Sequence, residues 1–247
     1  MEEQRSLPSV VERMWGREPV NRRGPRPRLD LATITTAAIE LADADGLAGV
    51  SMANVASRVG VAATALYRYV DSKEDLLTAM ADAVAPPPPE PGESAWREYL
   101  ALWTRQQRDA LLEHPWLLSV SMLVPPLGPR RLLWLDRALA VLEGTGLDHG
   151  ERVNVASALT GYALTDAAVV RGSGGPPVAG SEIGGAEEYG EVLADLVDPA
   201  GYPALSAAMR AGAMRGAVGW VQDEDFTFGL DLLLDGIEAL IRRRATT

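Results

Sequence analysis

Five arginines crowd into residues 17–28 (Arg17, Arg22, Arg23, Arg26 and Arg28), opposed only by Glu18. Guanidinium groups at that density suit a polyanion, because each stays charged and offers a planar fork of donors to phosphate oxygens. Catalytic chemistry is poorly supplied by comparison. No cysteine occurs, which excludes a disulfide framework, a zinc–thiolate site and a cysteine nucleophile. The two histidines, His114 and His149, are isolated from each other, and no phosphate-cradling glycine loop is present. Only scattered carboxylates remain, of which Asp166 among apolar neighbours is the best lone candidate. A polar ligand contact or a helix-to-helix hydrogen bond explains it better than catalysis.

Charge follows the same division. Residues 1–73 hold 10 Lys and Arg against 9 Asp and Glu, while the rest hold 13 against 25, giving the net −11 of the 247-residue chain. A basic segment on an acidic body is the pattern of a protein that meets nucleic acid at one end. A solvated tail with only non-specific attraction is the competing reading. The acidic opening Met1-Glu2-Glu3 lacks an apolar run, and no stretch approaches the ~18–20 apolar residues of a membrane span. The expectation is a soluble, cytoplasmic protein with no membrane partner.

The elements that must position these groups can be read from periodicity. Residues 1–28 carry Pro8, Pro19, Pro25 and Pro27 and read as an extended, mobile arm. Leu31, Ile34, Ala38, Leu41 and Ala42 then recur at helical spacing, with Asp30 as N-cap and Gly46 as stop. A second short helix starts near Ser51, with Met52, Val55, Ala56 and Val59 facing inward and Gly60 breaking it. A third runs from Ala63 to Val70, and Ser72-Lys73-Glu74-Asp75 resembles a capping box that opens a fourth through Ala85. The spacing predicts further helices at 94–113, 115–123, 128–144, 148–172, 186–196, 202–214 and 223–244, with a mobile loop at 172–185. The fold class is all-α. The predicted domains are an arm at 1–28, a head at 29–85 and a larger helical domain at 92–247.

Three short helices in 31–70, the last two joined by Val59-Gly60-Val61-Ala62, have the layout of a helix-turn-helix. Residues 34–80 carry Ile39-Glu40-Leu41-Ala42, Val55-Ala56-Ser57-Arg58-Val59-Gly60-Val61, Ala65-Leu66-Tyr67-Arg68-Tyr69-Val70 and Lys73-Glu74-Asp75-Leu76-Leu77. That stretch resembles the DNA-binding head of the TetR family of repressors. Downstream, His114-Pro115-Trp116 and Phe228-Gly229-Leu230-Asp231 are similar to the tetracycline-repressor-type ligand domain.

The resemblance implies double-stranded operator DNA as partner. It implies phosphate contacts at Tyr67 and Lys73 and contacts to bases or the groove wall at Ala63, Thr64, Ala65, Arg68 and Tyr69. Ser51 and Ala53, where the second helix begins, join the implied interface. Met52 and Ala53 stand where the family often carries a polar or basic reader. Ala62, Ala63 and Ala65 supply no hydrogen bonds either, so direct readout from the third helix is thin, and Arg68 is the best candidate for a bidentate guanine contact. Arg22, Arg23, Arg26 and Arg28 would compensate along phosphates and a neighbouring minor groove, as homeodomain arms do.

The resemblance further implies a homodimer through helices near 148–172 and 223–244, and a small-molecule effector. Val153, Ala156, Leu159, Leu164 and Ala168, with Phe226, Leu230, Leu233, Leu234, Ile237 and Leu240, form broad apolar faces that either meet a partner or bury in the same chain. Trp103, Gln107, Trp116, Met122, Trp134, Tyr162 and Asp166 are the residues expected around a cavity for a lipophilic effector, though tryptophan is also ordinary core material. The histidines with which tetracycline repressors hold a magnesium-bound drug correspond to Pro89 and Met122, so no metal or cofactor is expected. Two rival readings stay open: a helical small-molecule-binding or interaction protein with little DNA binding, and an enzyme.

Overall fold

The computed structural model describes residues 7–17, 29–91, 95–123, 126–174, 192–212 and 222–246, with the side chains of 122–123, 172–174 and 222 outside the description. Every regular element among them is a helix. In chain order these are α1 (Ser9–Met14), α2 (Leu31–Gly49), α3 (Met52–Val59), α4 (Ala63–Leu66), α5 (Lys73–Ala83), α6 (Trp96–Glu113), α7 (Trp116–Leu123), α8 (Pro129–Val141), α9 (His149–Gly174), a short α10 at 192–196, α11 (Pro203–Arg210) and α12 (Gln222–Ala245). The chain divides into two compact units, Met1–Ala156 and Ser157–Thr247.

Three helices of the first unit start where a side chain satisfies the orphan amide donors of the first turn. Asp30 Oδ1 accepts from Thr33 N at 2.8 Å, Ser51 Oγ from Asn54 N at 3.1 Å and Ser72 Oγ from Asp75 N at 3.0 Å. The reciprocal arm of the Ser72 box reaches one residue further back, with Asp75 Oδ2 accepting from Asp71 N at 3.2 Å. The predicted stop at Gly46 is a kink (φ 66°) within α2, whose last turn continues to Gly49. Ile34, Ala38 and Ala42 of α2, Val55 and Ala56 of α3, Leu66 of α4 and Leu76 and Met80 of α5 are buried together. The larger of these contribute roughly 1.5–3 kcal/mol each relative to exposure.

Residues 9–14 depart from the extended arm expected over 1–28: they form α1. Pro8 at its N-cap loses nothing, since that amide has no helical partner. Six residues are too few to hold a helix by propensity, which is why no pattern predicts it. Packing on α5 supplies the stability, with Val10 and Val11 buried. Arg22, Arg23, Arg26 and Arg28 lie outside the described residues, as does the predicted loop beyond Gly174.

α6 and α8 pair through two indoles whose rings lie 5.9 Å apart. Trp103 Nε1 donates to Trp134 O at 2.9 Å, and Trp134 Nε1 donates to Pro86 O at 2.6 Å. Tyr99 Oη donates to Pro89 O at 2.9 Å, and burial pushes that phenol up to about 12. The proline segment after α5 is thus fastened to α6 and α8. At the end of α5 itself, Asp82 Oδ1 accepts from Arg131 N at 2.9 Å and caps α8. Arg130 Nη1 donates to Ala83 O at 2.7 Å.

In the second unit the later turns of α9 pack on α12. Leu159, Ala163 and Ala167 are buried, as are Phe226, Leu230 and Leu234. Tyr162 stacks on Phe226 at 5.3 Å and donates to Phe226 O at 2.9 Å. The close approach needs Gly229, because a Cβ there would collide with the Tyr162 ring and hydroxyl. Most of the apolar face named from the sequence, including Ala156, Leu159, Phe226, Leu230 and Leu234, is therefore buried within its own chain. A different stripe stays exposed: Phe228 and Leu232 on α12 (68 % and 59 %), with Ala158, Gly161, Thr165 and Ala168 on α9. Against the expectation from composition, His149–Arg171 of α9 is long and apolar enough to cross a membrane by length and hydropathy alone. Its division into a buried and an exposed face fits a helix packed among helices equally well.

Candidate nucleic-acid interface

The turn between α3 and α4 is set by Gly60, which takes the left-handed conformation (φ 73°, ψ 34°) that a Cβ would penalise. Val61 N donates to Ala56 O at 2.9 Å and Gly60 N to Ser57 O at 3.2 Å, the paired bonds of a Schellman cap. The chain then re-enters a helix at Ala63 with its direction changed. α4 keeps regular form only to Leu66, shorter than the span to Val70 that periodicity predicts. Tyr69 N and Val70 N both turn back to Leu66 O, at 2.8 and 3.0 Å, which tightens the last turn and buries Val70. Leu66 and Val70 anchor the element, and its opposite side faces out.

That outer side carries Thr64, Tyr67 and Arg68, all exposed, with Tyr67 at 51 %. Ala63 and Ala65 are half-buried and supply no hydrogen bonds. Ser51 and exposed Ala53 open α3, the Ser51 hydroxyl already serving as N-cap. Lys73 stands exposed at the first turn of α5, its Nζ donating to Leu47 O at 3.1 Å. Tyr69 is half-buried. Its hydroxyl donates to Leu29 O at 2.7 Å, and the Arg13 guanidinium lies 5.4 Å from its ring centre. Arg58 reaches back to Glu40 at 2.7 Å, bracing α3 on α2.

A helix pair with a glycine turn and an outward Tyr–Arg face is a known architecture. Residues 34–80 match the family described as bacterial regulatory proteins, tetR family, and residues 88–241 match the tetracyclin repressor-like C-terminal domain. The chain belongs to the TetR family. It is a DNA-binding transcriptional regulator. The HTH-type transcriptional repressor DrrR1 of Streptomyces coeruleorubidus is 32% identical over 250 residues, covering 95% of this chain and 87% of that protein. The HTH-type transcriptional repressor Rv1353c of Mycobacterium tuberculosis is 28% identical over 231 residues, 90% of this chain and 85% of that one. Among solved structures, apo ActR from Streptomyces coelicolor matches with a TM-score of 0.72 at 22% identity, over 89% of this chain and 99% of that one. The regulator SCO7222, a TetR from the same organism, gives 0.67 at 24% identity, over 86% and 99%. At that identity these two structures speak for the fold.

The effector candidates of this TetR protein fall in different settings. Trp103, Gln107, Trp116 and Trp134 belong to the first unit, Tyr162 and Asp166 to the second, and the Met122 side chain lies outside the description. Trp103 and Trp134 are buried with both indole N–H groups donated to backbone oxygens. Gln107 is half-buried, Asp166 is buried, and Tyr162 is committed to Phe226. Trp116 has another duty. Its Nε1 donates to Asp43 Oδ1 at 2.7 Å, and His114 Nδ1 lies 2.8 Å from the same oxygen. One carboxylate oxygen of α2 therefore holds the corner between α6 and α7. Asp43 was invisible to sequence reasoning because its partners are more than seventy residues away, although the His114-Pro115-Trp116 string was a signal.

Proposed function

We propose that this protein is a homodimeric repressor that grips double-stranded operator DNA with two copies of α4 and lets go when a small lipophilic molecule binds its helical domain at 92–247. The observation that carries the reading is the exposure of Thr64 on α4 and of Tyr67 and Arg68 in the turn that follows it, with Lys73 exposed at the start of α5. Arg68 reads a base edge, while Tyr67 and Lys73 position the head on phosphates. Ser51, Ala53, Ala63, Thr64, Ala65 and Tyr69 complete the contact surface of the 29–85 head.

The arginine arm belongs to the same reading. Its flanks are fixed near the recognition element, because Tyr69 engages Arg13 on one side and Leu29 on the other. Arg22, Arg23, Arg26 and Arg28 then add phosphate and minor-groove contacts. Dimerisation is supported by the exposed Phe228–Leu232 stripe of α12 and the small exposed residues of α9, a pairing suited to two helices from each copy. A regulator of this kind works in the cytoplasm, where the DNA is, and by binding rather than by catalysis. For the effector, ActR structures contain (S)-DNPA and actinorhodin. An effector of this chain is a lipophilic molecule taken up within the helical domain at 92–247, where an apolar lining with a few polar atoms suits it.

Selection from random-sequence duplexes followed by gel shift tests the DNA half. The expected result is a two-half-site operator whose binding weakens steeply with salt. Purified protein that ignores every duplex at modest ionic strength overturns the reading. For the effector half, a lipophilic compound that releases DNA must bind free protein more tightly than the operator complex; equal affinities exclude release by that compound.

A further inference from the structure

α1 lies ahead of both matched ranges, 34–80 and 88–241, so neither family pattern accounts for it. It is attached at two separate places. At the head, Val10 and Val11 are 0 % and 4 % exposed where α1 packs on α5. There Ser9 Oγ donates to Asp71 Oδ2 at 2.7 Å, in the turn that joins α4 to α5. Arg13 lies over Tyr69 in that same turn region. At the other end, Trp15 Nε1 donates to Leu127 O at 2.9 Å, in the loop between α7 and α8. Arg17 lies 5.7 Å from the centre of the same indole. A six-residue helix does not persist in water by itself, so these attachments are what order it.

The covalent path from the reading head to α6–α8 is α5 and the proline segment that follows, braced where Asp43 of α2 accepts from Trp116 and where Asp82 and Ala83 accept from Arg131 and Arg130. Those braces sit on α2 and at the far end of α5, and none of them holds the α4–α5 turn. α1 adds a link from that turn, fastened at a distance from the others, and restrains the turning they leave. We propose that α1 is a strap: it ties the α4–α5 turn to the α7–α8 loop alongside α5 and fixes the angle at which α4 is presented. Ser9, Val10 and Val11 anchor the head end, and Trp15 is the pin at the far end.

The consequence rests on the dimeric DNA-binding reading above. An operator with two half-sites about one helical turn apart accepts only heads held at the matching separation. Heads on a slack hinge adapt to altered spacing; strapped heads do not. The strap therefore sets how strictly the protein discriminates half-site spacing, and not how well one head grips one half-site.

Trp15→Phe keeps an aromatic ring at a position that is 41 % exposed, and removes the pyrrole half of the indole with the N–H donor to Leu127 O. The measurement is affinity of the full-length protein for three duplexes: an operator selected from random sequence, the same operator with one base pair inserted between half-sites, and an isolated half-site. The expected result is that the ratio of the first two affinities falls about fivefold in W15F, which is roughly 1 kcal/mol in all, the low end of a net hydrogen bond lost from each of two subunits. Half-site affinity stays unchanged. A variant lacking residues 1–17 should lose no more of the ratio than W15F, because a strap cut at one end is already slack. An unchanged ratio in W15F overturns the strap, and so does an equal loss on the half-site, which would mark a local stability effect. Wild-type protein that shows no spacing preference overturns the dimeric reading instead.

Discussion

The outer face of α4 and the outer stripes of α9 and α12 are both exposed among the described residues, yet their chemistry is opposite. α4 and the turn after it present Thr64, Tyr67 and Arg68, and Lys73 is exposed at the start of α5. α12 presents Phe228 and Leu232, and α9 presents Ala158, Gly161, Thr165 and Ala168. The first surface offers charge and hydrogen bonds to a solvated polyanion, where affinity comes with salt dependence. The second offers apolar area and small residues, which reward the close approach of another helix and little else. Exposure alone does not say what a surface is for; its donors and its bulk do.

The largest effect should come from the apolar stripe. In the proposed dimer, Leu232→Asp sets like charges near each other across the two-fold interface, where each substitution counts twice. Charge repulsion and lost burial there cost several kcal/mol, so operator affinity is expected to fall by about 100-fold or more. Sedimentation should show half the wild-type mass while helix content is kept. A variant that remains dimeric would mean that the stripe serves some other contact, and the contrast drawn above would fail.

Next comes Arg68→Ala. Loss of a bidentate base contact costs about 1–3 kcal/mol and relaxes preference at a single operator position. Lys73→Ala should weaken all duplexes alike and flatten the salt slope by about one unit. A uniform loss in R68A would reassign that guanidinium to phosphate.

Local chemistry explains which parts of this molecule were legible in its sequence. The helix-turn-helix was readable because each joint demands a residue type within a few positions: Asp30, Ser51 and Ser72 as caps, Gly60 for a left-handed turn. Helix boundaries in the larger domain, such as 94–113 against Trp96–Glu113, followed from prolines, glycines and apolar period. α1 was not readable, since Val10 and Val11 have meaning only against α5, some sixty residues on. The tryptophans were named from the sequence as candidate effector contacts, but nothing in the sequence shows that Trp134 O, Pro86 O and Asp43 already take their N–H groups. Periodicity likewise marks α12 as two-faced without saying which apolar stripe is spent inside the chain. Leu230 and Leu232 are two residues apart, at 1 % and 59 % exposure.

Gly229→Ala probes the buried side of that same helix. The added methyl would overlap Tyr162, a ring held by Phe226 on one side and by its own hydroxyl bond. Overpacking of this kind costs about 1–3 kcal/mol, and the thermal midpoint should drop accordingly. Because the mutation acts inside one chain, the loss should not depend on protein concentration beyond what wild type shows. A concentration-dependent loss would place Gly229 at the dimer contact and redraw the boundary between the two stripes.

The smallest effect separates two carboxylates that both accept backbone amides at a helix start. Asp30, exposed at the start of α2, is held below the ordinary 3.8 by the Thr33 N–H. Asp82, 5 % exposed and capping α8, is pushed above 3.8 by burial, with the Arg131 and Arg130 amides and their guanidinium charges pulling the other way. The signs follow by linkage. Folded Asp30 releases its proton earlier than the unfolded chain, so its contribution is present above 3.8 and is lost as pH falls through the lower folded value. Folded Asp82 retains a proton that the unfolded chain gives up. Its ionisation therefore lowers stability as pH rises through the window above 3.8. Asn at either site keeps an acceptor oxygen and removes the titration. Asp30→Asn should be less stable than wild type at neutral pH, and Asp82→Asn equally or more stable. Both differences should vanish in strong acid, where wild type is neutral at these positions too. Thermal midpoints across the acid range read the two signs directly. A destabilised Asp82→Asn at neutral pH would show that the charge itself, facing the positive end of α8, outweighs its desolvation.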